Sequence, residues 1–304
     1  MIQKKYLRFA GCLLLGLAGI FCLACSGAST GGGAEPAPGV YSRIISTTPS
    51  NTEILVALGF GKNIVAADRY SGEISGIDAN LPLIDFFFPD AEFIISLKPD
   101  LIITGEINNQ GADSSPLRLL EDAGITLLAI PTSGSIDDIY NDINLIAKTL
   151  GAQKKGEEAV NGIKSEIAGI VQKNTAITKK KRVYFEIEPL PSMISFGNDT
   201  YLNELIELSG GENIFAGQKG WFAPSAEEII RRNPDVILTM DNGAQNEALV
   251  LDEIKKRPGF QTISAVKQNA IYLINADFAA RPSPGIVKGL RQIAKAIYPD
   301  VYQY

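Results

Sequence analysis

Residues 89–104 read PDAEFIISLKPDLIIT, and residues 224–239 read PSAEEIIRRNPDVILT. Nine of the sixteen positions are identical, without a gap and at a constant offset of 135 residues. Each copy encodes the same local structure. Asp90 or Ser225 is an N-cap whose side-chain oxygen accepts from the first free N–H groups of a helix. Glu92 and Glu227 follow in the first turn, where a carboxylate opposes the positive end of the helix dipole. Glu228 also has the spacing to close a capping box with Ser225. Ile94-Ile95 and Ile229-Ile230 give each helix a buried side. Pro99 and Pro234 end it, because proline lacks the N–H and restricts the residue before it. Leu101–Ile103 and Val236–Leu238 are continuous apolar runs, the pattern of parallel strands covered on both faces. The chain therefore makes a short helix feeding a buried strand twice, which predicts two similar lobes.

The 304 residues are enough for two cores, and 20% of them are charged. At the start, Lys4, Lys5 and Arg8 precede an apolar run from Phe9 to Leu23, too short and wrongly flanked for a membrane span. Small residues follow, so residues 1–24 read as an export signal of the lipoprotein kind. Cys25 is the lipidated position, within the box Cys22-Leu23-Ala24-Cys25; such boxes usually open on leucine, and Cys22 departs from that. The alternatives are a plain signal peptide or an anchor helix. Residues 25–40 are rich in Gly and Pro and form a flexible tether.

All three cysteines lie at or before residue 25, and there is no histidine. The body of the chain thus has no disulfide, no thiolate metal site and none of the Ser-His-Asp or Cys-His machinery. Loss of the signal segment removes three basic residues and no acidic ones, taking the formal charge from −6 to about −9. An acidic chain without a basic stripe excludes nucleic acid as a partner. Gly59-Phe60-Gly61-Lys62 fails as a phosphate loop, since Val56 stands where such a loop needs Gly and Asn63 where it needs Ser or Thr.

From residue 41 to 151 the order β-α-β-loop-α-β-α-β-α predicts a parallel sheet. Ser50-Asn51-Thr52-Glu53 reads as a capping box for the first helix. Residues 152–175 carry apolar positions at helical spacing and no proline, which predicts one stiff connecting helix. Residues 176–304 form the second α/β lobe. The fold class is therefore α/β: two Rossmann-like lobes with mainly parallel sheets, joined by a single long rigid helix.

Two open α/β lobes bind ligands where their loops face a shared cleft. The loops assigned to it carry Arg69, Tyr70, Phe86, Phe87, Trp221, Phe222, Asn242, Phe278 and Arg281. An aromatic wall with a few cations suits a large, partly planar, anionic or oxygen-rich ligand. Core packing is the alternative for each aromatic side chain.

From Arg43 to Tyr298 the chain resembles the ABC-transporter substrate-binding proteins of the iron-complex and vitamin B12 type. The resemblance rests on RIISTTPSNTEILVALG (43–59), both repeats, LEDAGITLLAI (120–130), GGENIFAG (210–217) and RPSPGIVKGLRQIAKAIYP (281–299). It implies an extracytoplasmic, monomeric, non-enzymatic receptor, lipid-anchored to the membrane, that delivers a metal chelate to a permease and its ATPase. It also implies that Glu92 and Glu227 meet arginines of that permease. No cofactor is resident; iron or cobalt would arrive with the ligand. The ligands implied are ferric siderophore first, then corrinoid or haem, haem needing a tyrosine such as Tyr70 as axial ligand. In place of the Gly-Gly pair that often precedes the first repeat, this chain has Leu83–Phe88, a bulkier wall. The competing readings are a two-lobed sugar transferase, which needs a phosphate site, and a structural surface lipoprotein.

Overall fold

The structure is a computed structural model that describes residues 39–86, 90–105, 116–241 and 247–303. The signal segment, Cys25, most of the tether, Phe87 and Asn242 lie outside the described residues. The first lobe runs β1 (Ile44–Ser46), α1 (Pro49–Ala57), β2 (Ile64–Asp68), β3 (Leu83–Ile84), α2 (Ala91–Ser96), β4 (Leu101–Gly105), α3 (Pro116–Asp122), β5 (Thr126–Ile130) and α4 (Ile136–Thr149). Its five strands are parallel, in the order β3-β2-β1-β4-β5. Then comes α5 (Gln153–Lys173), 21 residues and about 30 Å long.

The second lobe contains β6 (Arg182–Glu186), β7 (Ser195–Phe196), α6 (Tyr201–Leu208), β8 (Glu212–Asn213), β9 (Trp221–Phe222), α7 (Ala226–Arg232), β10 (Val236–Asp241) and α8 (Glu247–Lys256). It ends with α9 (Ser264–Lys267), β11 (Ile271–Asn275), α10 (Ala276–Ala279) and α11 (Ile286–Ile297). Its parallel sheet has the order β11-β10-β6-β8, which repeats β5-β4-β1-β2 of the other sheet and lacks a counterpart of β3; β7 and β9 form a separate antiparallel pair.

The repeated stretch folds alike in both lobes, down to backbone detail. Asp90 accepts from the Phe93 N–H at 3.0 Å, and Ser225 from the Glu228 N–H at 3.2 Å. Lys98 and Asn233, each just before the proline, both take positive φ, 49° and 44°. The aspartate after each proline ties its strand to the lobe's first strand. Asp100 accepts from the Ser42 and Arg43 N–H groups, and Asp235 from that of Arg182 at 2.9 Å. Glu228 does not close a capping box; its carboxylate turns to Arg232 at 2.7 Å, because two arginines four and three residues on offer a stronger partner than a backbone amide.

Strand side chains alternate between two apolar faces. Ile44, Leu101, Ile103, Val183, Phe185, Val236 and Leu238 enter one large core, while Ile45, Ile102, Tyr184 and Ile237 enter smaller cores on the outer faces. The large core is shared by both sheets. It continues through the buried stripe of α5 (Val160, Ile163, Ile167, Ile170) and through α11. Gly156 lets α5 approach α4 closely, since a Cβ there would lie 2.6 Å from that of Ala147. Gly39 to Gln303 thus packs as one compact unit, and α5 is a wall of its core rather than a free strut.

One ion cluster lies inside the second lobe. The Arg257 guanidinium, 4% exposed, grips Glu186, 0% exposed, through both carboxylate oxygens at 2.5 and 2.9 Å, and reaches Glu253 at 2.8 Å. The Tyr184 hydroxyl donates to the same Glu186 at 3.2 Å. Removing one partner strands a charge in a place water does not reach. Arg257→Met should therefore cost roughly 3–5 kcal/mol in urea unfolding. Adding Glu186→Gln should recover most of that loss, and no recovery would mean the pair acts through packing alone.

Candidate ligand-binding cleft

Open α/β sheets bind ligands beyond the carboxyl ends of their strands, where the strand order reverses. In the first lobe that point lies between β1 and β4, and in the second between β6 and β10. One cavity of about 530 Å³ sits against both. Thr47–Asn51, following β1, and Gly105, ending β4, form its first side. Ile187, following β6, and Met240 of β10 face them, with Tyr201, Leu202, Trp221, Ala280 and Pro282.

A buried hydroxyl chain fixes the first side. Thr52 of α1 donates to Ser46 of β1 at 2.8 Å and meets Ser71 at 3.0 Å. Ser71 donates to Asp68, which also accepts from the Tyr70 N–H at 2.8 Å. That last bond is an Asx turn, and it presents Arg69 and Tyr70 at the cavity. Arg69 then pairs with Asp85 at 2.7 Å and donates to the Tyr70 hydroxyl at 2.7 Å. Opposite them, Trp221 is 52% exposed and packs edge-on against Phe196, with ring centroids 5.9 Å apart.

Of the residues expected at the cleft, Arg69, Tyr70, Phe86 and Trp221 line this cavity together. Three others stand elsewhere. Phe222 turns the other way from Trp221, as neighbours on a strand must, and packs edge-on against Phe215 at 5.2 Å. Phe278 lies on α10 beneath the Lys288 ammonium, 5.0 Å from its ring centre. Arg281 lies between two lining residues, but its guanidinium is spent on Glu53 at 3.0 Å and Asp277 at 2.5 Å. Glu92 and Glu227 are exposed, and neither makes an ion pair among the described residues. A helix that leads into a parallel strand starts at that strand's carboxyl end, so both glutamates stand at the cleft end of their lobes.

Glu53 does not cap its own helix. The N-cap of α1 is Thr48, two residues earlier than expected, because Pro49 fits the first helical position. That frees the Glu53 carboxylate to cross to the second lobe, where Arg281 and the Ser283 hydroxyl hold it. A second carboxylate crosses in the opposite direction: Glu204 of α6 accepts from the Ile136 N–H at the start of α4, at 2.9 Å. Burial raises its pKa, and Asp137 and Asp138 add to the effect.

Composition alone did not reveal the buried acids of the wall. Asp68 is 4% exposed and its pKa is raised by burial, against the lowering effect of its bonds to Ser71 and Tyr70. Asp142, 5% exposed, accepts from the Ser133 hydroxyl at 2.7 Å; burial, with a smaller push from Asp138, raises its pKa to about 6. Helical spacing contained the signal, since Asp142 falls on the same face as Ile139 and Ile146. The wall thus carries Asp68, Asp85 and Asp142 against one guanidinium, Arg69. Among the described residues no cluster of three or more acids could hold a metal ion.

A carboxyl whose pKa is higher folded than unfolded favours folding most below its unfolded value, near 4, and loses that contribution as pH rises through about 6. Asp142→Asn keeps an acceptor for Ser133 and removes the charge. It should therefore be more stable than the wild type by roughly 2–3 kcal/mol at pH 8, with the gap closing as pH falls to 4. Thermal unfolding of the two proteins across that range checks it, and a gap that widens toward low pH would reverse the assignment.

Residues 44–278 match the family described as periplasmic binding protein. The chain is 34% identical over 266 residues to the uncharacterised ABC transporter substrate-binding lipoprotein YvrC of Bacillus subtilis (strain 168), covering 86% of this chain and 81% of that one. Among solved structures it is similar to a possible iron-binding (periplasmic solute-binding) protein from Staphylococcus epidermidis, at 32% identity and a TM-score of 0.76, covering 86% of this chain and all of the other. It is also similar to the periplasmic heme-binding protein RhuT from Roseiflexus sp. RS-1, at 28% identity and a TM-score of 0.74, covering 87% of this chain and all of that one. With its two mainly parallel sheets, its long connecting helix and a cavity open to both, the chain belongs to the periplasmic binding protein family.

Proposed function

We propose that this protein is the extracytoplasmic receptor of an ABC importer, capturing a metal chelate in the cavity between its lobes and handing it to a permease. It performs no chemistry of its own. Cys25 carries the lipid that anchors it, at the head of the 25–40 tether. The reading rests on the cavity itself: built from both strand-end crevices, with polar groups set among apolar and aromatic side chains, the design of a small-molecule site.

The charge of the wall narrows the ligand class. Three carboxyls and one guanidinium, itself paired with Asp85, repel a polyanion. Of the two ligand kinds expected from the loops, anionic or oxygen-rich, the charge of the wall favours the second: a neutral chelate rich in carbonyl and amide groups. A ferric trihydroxamate siderophore fits best, and a corrinoid second. Haem ranks third, because its two carboxylates find a single cation; Tyr70, whose hydroxyl accepts from Arg69, is the group that would reach its iron.

Trp221 is the only tryptophan and stands in the wall, so its fluorescence reports occupancy. Titration with a neutral ferric trihydroxamate, cyanocobalamin, hemin and a ferric triscatecholate should give quenching by one of the first two, with the triscatecholate about 100-fold weaker. Tightest binding by the triscatecholate would refute the charge reading, and quenching by none would refute the receptor.

Glu92 and Glu227 are the proposed permease contacts. As exposed dipole partners each contributes only about 0.3–1 kcal/mol to its helix, whereas a partner arginine would offer a charge-assisted, bidentate contact. Glu92→Ala/Glu227→Ala should leave chelate affinity within about 2-fold of wild type while uptake by the reconstituted importer falls about 10-fold or more. A parallel loss of affinity would assign the pair to the cavity, and unchanged uptake would leave them as dipole residues only.

A further inference from the structure

The first turn of α1 opens on the cavity: Thr48, Pro49, Ser50 and Asn51 all line it. Asn51 is 2% exposed, and its side-chain amide nitrogen, Nδ2, has no hydrogen-bond partner among the described residues. Nearly every buried donor in a folded protein is satisfied, so an orphan in a cavity wall points to a partner that arrives with the ligand. The surrounding electrostatics agree. The nine-residue helix has no acidic side chain in its first turn to offset its dipole. The carboxylate nearest in sequence, Glu53, is turned away to Arg281 and Ser283. The N-cap hydroxyl of Thr48 accepts from the Asn51 N–H at a long 3.4 Å and meets the Ser50 hydroxyl at 3.2 Å.

We propose that this turn is a subsite for one acceptor oxygen of the cargo, a carbonyl, hydroxamate or carboxylate oxygen, to which Asn51 Nδ2 donates while the helix dipole supports the partial negative charge. The proposal rests on the chelate-receptor reading and adds a direction to it. The acids Asp68, Asp85 and Asp142 face donor groups of the cargo, and the α1 turn faces an acceptor, so a ligand with both has one orientation in the cavity. The residues that hold the turn, Thr52, Ser46 and Ser71, are positioning groups; Asn51 touches the ligand.

Two substitutions separate this role from a structural one. Asn51→Leu keeps the size and removes the donor; Asn51→Asp replaces the donor with an acceptor. Because Asn51 Nδ2 has no partner among the described residues, Asn51→Leu should match or exceed the wild-type Tm. Its affinity for the neutral ferric trihydroxamate or cyanocobalamin, whichever the wild type binds, should fall about 10-fold or more, and that of Asn51→Asp further still. Unchanged affinity in Asn51→Leu, or a Tm that falls with it, would overturn the subsite. Should the wild type bind neither chelate nor hemin, the receptor reading fails by itself, and a second measurement judges the subsite: the Asn51 side-chain ¹H–¹⁵N resonances during titration with sodium acetate. A saturable shift, absent for other buried amides, supports the subsite; no shift overturns it.

Discussion

The carboxylate of Glu53 joins the two halves of the cavity. It leaves α1 in the first lobe and ends on Arg281 and Ser283 in the second, while Arg281 also reaches back to the Tyr70 carbonyl at 3.4 Å. Arg281 is therefore a strut, and its neighbours Ala280 and Pro282 form the wall. Glu204 performs the same task at the start of α4, where the free N–H groups and the dipole favour an anion. Between these crossings, the core shared through α5 resists large hinge motion, because packed interiors deform little and opening would have to separate apolar side chains from both sheets. The ligand's entry is accordingly a matter of small displacements around a cavity that already exists.

Within that frame the cavity is polarised. Buried acids at Asp68 and Asp142 make one part of the wall a set of acceptors, and the α1 turn makes another a donor. Burying a carboxyl costs less when it is hydrogen-bonded, and each acid has a hydroxyl donor; burial still raises each pKa. Such groups weaken the fold, as buried ionisable groups at functional sites do. The Arg69–Asp85 pair at the mouth is half-exposed and adds direction more than stability.

Much of the fold was legible in the sequence, because the repeat carries local rules twice. Caps, proline stops and apolar strand runs act over a few residues, and they recur in the backbone as the matched φ values of Lys98 and Asn233 and the matched ties of Asp100 and Asp235. The site was legible only in part. Trp221 and Phe222 looked equivalent in a loop; the two-residue strand β9 separates them, and a strand that short leaves no readable alternation. Ser50 to Glu53 matched a capping box, a local pattern that concealed two long-range roles, the crossing of Glu53 and the orphan amide of Asn51. Asp142 was within reach, since its helical position is apolar on both sides, but an acid on an apolar face gains meaning only when a cavity opens beside it.

On the proposed function, a metal chelate sits where the two strand-end crevices meet. Anomalous diffraction locates a metal directly, and with no histidine in the chain and no cysteine after Cys25 the signal belongs to the ligand. Crystals of the protein grown with a neutral ferric trihydroxamate or with cyanocobalamin, measured at the iron or cobalt edge, should show a single peak inside the cavity flanked by Tyr70, Phe86 and Trp221. A peak elsewhere, such as the surface hollow beside Leu249 and Lys256 on α8, or a chelate bound in solution that leaves the cavity empty, would contradict it.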